Sequence, residues 1–184
     1  SPLPASLFIV ATPIGNLDDM SMRAIDVLRS VALIAAEDTR HSAKLLRHFD
    51  IRTPLISYHD HSETSDLEGM LKRLRSGETI ALISDAGTPL VSDPGYKLVV
   101  ACHREQIPVV PIPGPSATIT ALSAAGLPTD HFYFEGFLPP KPGQRVNRLQ
   151  VLTALEGTLI FFESPRRLLA SLEAMHEVLG DRKA

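Results

Sequence analysis

Leu7-Phe8-Ile9-Val10-Ala11, followed by Thr12-Pro13-Ile14-Gly15-Asn16, decides how the rest of the chain is read. A short apolar run without alternation is the pattern of a strand buried on both faces, and the Pro/Gly loop that stops it prevents continuation as a helix. From Ser21 the spacing turns helical, with Met22, Ile25, Leu28 and Val31 predicted on one face. Strand, loop, helix is therefore the opening unit.

The unit recurs along the sequence. Residues 31–36 read as a buried strand and 39–49 as a helix with Leu45, Leu46 and Phe49 inward. Residues 54–58 give a weaker strand, and 63–76 a helix with Leu67, Met70, Leu71 and Leu74 on one side and Gly77 at its C-cap. A strand over 79–83, a helix over 95–106 and a strand over 108–112 follow. Alternation of this kind predicts a parallel sheet wrapped by helices, an α/β fold.

After a helix over 116–125 capped by Gly126, the pattern changes. Residues 132–137 are aromatic and strand-like, while LPPKPG (residues 138–143) reads as irregular and mobile, because three prolines fix φ and remove donors. A helix over 145–155, a strand over 158–162 and a helix over 165–179 with Pro165 in its first turn complete the reading. The expected organisation is an N-terminal α/β domain over 1–114 and the first part of a second, incomplete α/β domain over 115–184.

Composition narrows the classes of function. The 184 residues carry 18 Lys+Arg against 21 Asp+Glu, a net charge of -3, which argues against coating nucleic acid by bulk charge but leaves local basic patches open. The single cysteine, Cys102, excludes an internal disulfide and a multi-thiolate metal site, and it lies at an apolar position of a predicted helix. No apolar stretch approaches the roughly 18 residues of a membrane span, and no signal-peptide pattern opens the sequence. A cytoplasmic protein without membrane or metal is the expectation.

In an open parallel sheet the loops leaving the carboxyl ends of the strands share one edge, where ligands bind at a switch point in strand order. The unusual residues collect in those loops: 12–16, Glu37-Asp38-Thr39-Arg40-His41, Tyr58-His59-Asp60-His61, 84–89, and Pro113-Gly114-Pro115-Ser116. The opposite edge carries only turn residues. Glycine admits a ligand to bare backbone and proline fixes the loop beforehand, so the pattern describes a preorganised pocket. There is no G-x-G-x-x-G after the first strand, no P-loop and no H-E-x-x-H, which disfavours NAD, P-loop nucleotides and zinc-protease chemistry. His59 and His61 resemble half of a metal site, but in a polar loop a solvated pair is the simpler reading.

The segment SDAGTPLVSDPG (84–95), with VATPIGNLDDMSMRAI (10–25), AAEDTRHSAKLL (35–46), PIPGPSA (111–117), EGFLP (135–139) and FFESPRRL (161–168), resembles the tetrapyrrole methylase superfamily. Within it the chain is similar to the ribosomal RNA small-subunit methyltransferase I family. That resemblance implies a two-domain α/β methylase that binds S-adenosylmethionine between its domains, acts as a homodimer, and methylates the ribose 2'-hydroxyl of a cytidine in small-subunit rRNA. Members run longer than this chain, and usually have His where it has Arg166.

By the same resemblance Pro13, Ile14 and Gly15 flank the donor, and Gly87, Thr88 and Pro89 stand at a superfamily Gly-Asp-Pro loop, with Thr88 in place of the acid. Asp85 is then the candidate anchor for the donor's amino group or ribose, a reading favoured over the alternative of an Asx turn. Ser116 and Ala117 offer backbone N–H groups at a helix N-terminus, and Ser116 also suits an N-cap.

A weakly acidic ribose hydroxyl can use a base within hydrogen-bond reach. Glu37, Asp38, His59 and Glu163 are the loop-edge groups, with Glu163 and Asp38 the catalytic candidates. Dipole stabilisation is the alternative for Glu163 and an N-cap before Thr39 the favoured one for Asp38. RNA also needs a positive track and stacking partners. Arg40, Lys44 and Arg47 share one helix face with His41 and His48 beside it, and Lys141, Arg145 and Arg148 form a second patch. Solvated helix faces explain such charges too, and Tyr58 and Phe137, candidates for stacking, also suit a core.

Three functions stay open from the sequence: a small-subunit rRNA 2'-O-methyltransferase acting on RNA or on the assembled subunit, a methylase of a small tetrapyrrole-like acceptor, and a non-catalytic RNA-binding or ribosome-assembly module. The basic stripe weighs against a carboxylate-bearing macrocycle.

Overall fold

Alternate residues of each buried strand face opposite ways, and in the computed structural model each set has its own helical cover. Residues 3–59, 64–92 and 95–184 are described. The readings made for Asp60, His61 and Glu63 and for residues 93–94 of the long motif lie outside them. The chain divides into two compact units, Ser1–Ser116 and Ala117–Ala184.

In the first unit, strands β1 (Leu7–Val10), β2 (Leu33–Ala36), β3 (Leu55–Ser57), β4 (Ile80–Ile83) and β5 (Val109–Ile112) form one sheet in the order β3-β2-β4-β1-β5. Every pairing is parallel. Pro111 is tolerated because β5 is an edge strand, where a missing N–H breaks no central ladder.

Helices α1 (Met22–Ser30) and α2 (Thr39–His48) cover one face, packing Ala24, Val27, Leu28 and Leu46 on Phe8, Val10, Ile34, Ala81 and Ile83. Helices α3 (Thr64–Arg75) and α4 (Tyr96–Arg104) cover the other, with Met70, Leu71, Leu74, Leu98 and Cys102 against Leu7, Ile9, Leu33, Ile80 and Leu82. Burial, with a smaller contribution from Glu105, pushes the Cys102 thiol up to about 11, so it stays a neutral core residue. Of the predicted inward face of α1, Leu28 and Val31 are buried and Ile25 packs against the core, but Met22 is 83% exposed and the small Ala24 is buried in its stead beside Val27.

The second unit holds α5 (Ala117–Ala124), β6 (Phe132–Phe137), α6 (Pro142–Leu152), β7 (Thr158–Phe162) and α7 (Leu168–Leu179). Strands β6 and β7 pair in parallel with a bulge between Phe134 and Gly136, where Gly136 takes the positive φ of 76°. Leu149 and Leu152 of α6 and Ala174 of α7 close a small core over Leu138.

Two expectations for this unit are corrected. Helix α6 starts at Pro142, three residues before its predicted start, because proline at the first helical position needs no N–H partner. Residues 165–167 make a turn, and α7 begins only at Leu168.

Candidate functional site

The path between strands fixes where the site can form. From β1 the chain crosses β4 to reach β2, whereas from β4 it crosses β1 to reach β5, and α1 and α4 accordingly lie on opposite faces. The carboxyl ends of β1 and β4 are thus a switch point in strand order. There the two exit loops are stitched together: Thr12 and Gly87 each donate a backbone N–H to the other's carbonyl at 3.0 Å.

Side chains tighten the junction. The fully buried Thr12 hydroxyl donates to the Ser84 carbonyl at 3.3 Å, and the Ser84 hydroxyl donates to the carbonyls of Ala86 and Gly87 at 3.2 and 3.3 Å. The Thr88 hydroxyl donates to the Pro115 carbonyl at 3.0 Å and brings in the loop after β5. Gly87 has φ +78°, and a Cβ there would lie 3.3 Å from Ile14 Cγ2. At Gly114 a Cβ would meet the Cβ of Ala11 at 2.8 Å, so only glycine permits that approach.

Pro13, Ile14, Gly87, Thr88 and Pro89 are therefore neighbours on one rim with Pro115, the residue before Ser116. Gly15 carries bare backbone next to open space, with nothing within 4 Å of where its Cβ would stand. Asp85 is exposed on the same loop as Gly87. Ala117 opens α5 in the second unit and is exposed. The rim offers a ligand open space over the Gly15 backbone, the exposed Asp85 carboxylate and walls held by the bonds between loops.

Helix α2 starts beside this rim. Asp38 is its N-cap, with Oδ1 accepting the N–H of Arg40 at 3.0 Å and of His41 at 3.1 Å. The His41 N–H bond holds the Asp38 carboxyl below the usual carboxylate range against the opposing effect of desolvation, with lesser help from the Arg40 N–H bond and the nearby charges of both side chains. His41 Nε2 lies 2.9 Å from the Asp85 carbonyl oxygen, an atom that can only accept, so Nε2 carries the proton. Arg40, Lys44 and Arg47 are exposed, and none has an ion-pair partner among the described residues.

At β3 the Tyr58 side chain is buried in the core and is not available for stacking. His59 Nε2 lies 2.9 Å from the Ser57 hydroxyl, and its Nδ1 lies 3.9 Å from Glu37. Among the described residues no group of three His, Cys, Asp or Glu is placed to hold a metal ion, and no helix is long and apolar enough to cross a membrane.

The remaining candidates belong to the second unit, and most are committed within it. Glu163 Oε1 accepts the Ser164 N–H at 2.7 Å and faces Arg167 Nε at 3.2 Å, while Oε2 accepts the Ser171 hydroxyl at 2.6 Å. Burial raises this carboxyl, but the Ser171 and Ser164 bonds and the charges of Arg167 and Arg145 outweigh it and leave the group below its ordinary value. A general base needs the reverse, a free lone pair and a raised affinity for protons.

Two of the three cations expected to meet RNA from this unit are likewise engaged within the chain. Arg145 is only 6% exposed and donates from Nε and Nη2 to the carbonyls of Pro139 and Pro140 at 3.3 and 2.9 Å, so it pins the proline segment expected to move. Arg148 forms a two-pronged pair with Glu135 and reaches the Tyr133 hydroxyl at 3.1 Å. Lys141 alone of the three is exposed. Phe137 is half exposed and meets Phe162 edge-on.

Sequence reasoning missed Thr12 and Ser84 as the stitch of the rim and His41 as its tie to α2. The Thr12 and His41 side chains act on backbone carbonyls distant in sequence, so no local spacing signals them, while Ser84 acts on carbonyls two and three residues on.

A family model described as tetrapyrrole (corrin/porphyrin) methylases matches residues 6–184. The chain is 57% identical over 178 residues to the ribosomal RNA small subunit methyltransferase I of Pseudomonas aeruginosa, covering 97% of this chain and 63% of that protein. It is 56% identical to the protein of that name from Escherichia coli O157:H7, over 96% of this chain and 62% of the relative, and 53% identical to that of Synechocystis sp., over 97% and 64%. It thus spans less than two thirds of the length of these curated relatives.

Among solved structures, it resembles uroporphyrin-III-C-methyltransferase from Thermus thermophilus with a TM-score of 0.63 at 20% identity, over 97% of this chain and 74% of that one. A cobalt precorrin-4 methyltransferase gives 0.68 at 14%, over 96% and 76%. At such identities the likeness concerns the fold alone. With the family pattern running from the first strand to the last helix, this chain belongs to the tetrapyrrole (corrin/porphyrin) methylases.

Proposed function

We propose that this chain is part of an S-adenosylmethionine-dependent methyltransferase that modifies the ribose 2'-hydroxyl of a cytidine in small-subunit rRNA, free or in the assembled small subunit. The observation that carries this reading is 51–57% identity across nearly the whole chain with relatives named for ribosomal RNA methylation. Proteins named for tetrapyrrole chemistry share the fold at only 14–20%.

The rim fits such a donor. S-adenosylmethionine, when bound, supplies a methyl group made electrophilic by its sulfonium. Pro13, Ile14 and the bare backbone of Gly15 would wall it on one side, and Gly87, Thr88 and Pro89 on the other. Asp85 would receive its ammonium or ribose hydroxyls, and the N–H groups at Ser116 and Ala117 would receive a carboxylate or adenine edge. Arg40, Lys44 and Arg47 on α2, with Lys141 in the second unit, would track the RNA backbone. Asp38 and Glu163 are held as weak proton acceptors, so orientation is the main contribution of these residues. A cytoplasmic homodimer is the assembly we adopt, to be read by light scattering of the intact protein.

The deciding experiment uses the intact protein, labelled S-adenosylmethionine, and small-subunit rRNA or subunits from cells that lack the enzyme. Nucleoside digestion is expected to yield 2'-O-methylcytidine. Label on a base, or on a tetrapyrrole but not on RNA, would overturn the assignment.

A further inference from the structure

Helix α2 and the loop after β4 are separate in sequence and have separate proposed tasks, one toward RNA and the other toward the donor. They are tied by the bond from His41 Nε2 to the Asp85 carbonyl, at 2.9 Å. The bond sits at a sensitive place. On the helix side, Asp38 fixes the first turn by accepting the N–H of Arg40 and of His41 itself, so the imidazole projects from a rigid base. On the loop side, Gly87 is already held by Thr12 in both directions. Asp85 lies between the end of β4 and that anchor, and the His41 bond restrains its peptide from the helix.

We infer that His41 is a positioning residue that couples the two substrates: its hydrogen bond to Asp85 sets the donor loop according to the placement of the RNA-binding helix. This inference rests on the donor and acceptor assignments above. Arg40 precedes His41 directly, and Lys44 lies one turn beyond it, so an RNA backbone held by these cations loads the same turn that carries the latch. Binding of one substrate then favours binding of the other, and by thermodynamic linkage the effect on affinity is mutual.

The test measures S-adenosylmethionine affinity of the intact protein by calorimetry, with and without small-subunit rRNA, for wild type, His41→Ala and His41→Gln. In wild type, RNA is expected to tighten donor binding. In His41→Ala, donor affinity alone is expected to fall about 5- to 10-fold, the range that loss of one hydrogen bond supports. The gain from RNA should shrink toward none, with RNA affinity in the absence of donor changed less than about 2-fold.

His41→Gln, whose amide N–H can reach the same carbonyl, should restore most of both effects. An alanine variant equal to wild type in donor affinity and in coupling would overturn the latch while leaving the methyltransferase reading intact. Failure of glutamine to restore either quantity, with both variants melting early, would overturn it in favour of a merely structural histidine. A wild type that binds no S-adenosylmethionine would remove the functional reading and the latch together.

Discussion

Thr12 and Gly87 exchange both backbone hydrogen bonds at 3.0 Å, forming an antiparallel bridge just beyond two parallel strands. In an open sheet the exit loops of adjacent strands at a switch point diverge and leave a crevice between them. Here the bridge closes that crevice at its base. In the proposed function the donor accordingly rests on the stitched loops, against Ile14, Gly15, Asp85 and Thr88, rather than wedging between β1 and β4.

Replacing Gly87 by alanine is expected to damage this junction. Its φ of +78° is costly for an L-residue by roughly 1–2 kcal/mol, and the added methyl would stand 3.3 Å from Ile14 Cγ2. Equilibrium denaturation should show a lower midpoint with an unchanged slope. Donor affinity should fall with it, because Ile14 and the loop both shift. A Gly143→Ala control, in open space on α6, should leave donor affinity unchanged and should not lower the midpoint, because alanine favours a helix.

Strands β1, β2 and β4 were legible because a parallel sheet buried on both faces demands uninterrupted apolar runs, and β6 and β7, less buried, still coincide with their predicted limits. Asp38 was legible as a cap because its side chain acts on N–H groups two and three residues away. The first turn of α1 was not, since the small Ala24 rather than the larger Met22 meets the sheet. Nor was the donor rim's assembly: Thr12 to Ser84, Thr88 to Pro115 and His41 to Asp85 are bonds to backbone carbonyls that any residue type would present. The partners of Arg145 and Arg148 were not legible either, because charge suggests solvent, whereas a guanidinium also suits backbone carbonyls and a facing carboxylate.

Arg145 and Arg148 are consequently expected to act on stability rather than on RNA. Arg145→Met retains the buried stem but leaves the Pro139 and Pro140 carbonyls without that donor, a loss of roughly 1–3 kcal/mol. Thermal unfolding would show it as a reduced midpoint. Arg148→Gln should likewise leave the salt dependence of RNA binding unchanged, because its charge is already matched by Glu135.

The α2 stripe should behave in the opposite way. Neutralising Arg40, Lys44 and Arg47 to glutamine removes exposed cations that have no ion-pair partner among the described residues, so folding should be little affected. RNA affinity should fall across sequences, and the slope of log K against log salt should flatten by about 0.7 for each phosphate of single-stranded RNA that is no longer neutralised. Binding titrations at several salt concentrations measure both. A slope identical to wild type would assign the stripe to solvation.

Glu163 gives the fold a pH-dependent element of defined sign. Its folded-state affinity for protons is lowered, so the group favours folding fully above the unfolded carboxyl's ordinary value of 4.5, and that contribution is lost as pH falls through the lower folded value. Glu163→Gln keeps an acceptor for the Ser164 N–H but gives up the charge facing Arg167, whose Nε lies 3.2 Å away. Near neutrality the variant should be less stable by about 1 kcal/mol, the scale of one charge-assisted hydrogen bond at a mostly buried site. Below pH 4.5 the deficit should shrink as the unfolded chain takes up the proton first, and it should close once the pH falls below the lowered folded value, where the wild-type carboxyl is protonated too. Unfolding midpoints of both proteins at neutral and acid pH give the comparison. Two curves separated by a constant amount across that range would mean that the carboxylate's charge does not stabilise the turn between β7 and α7.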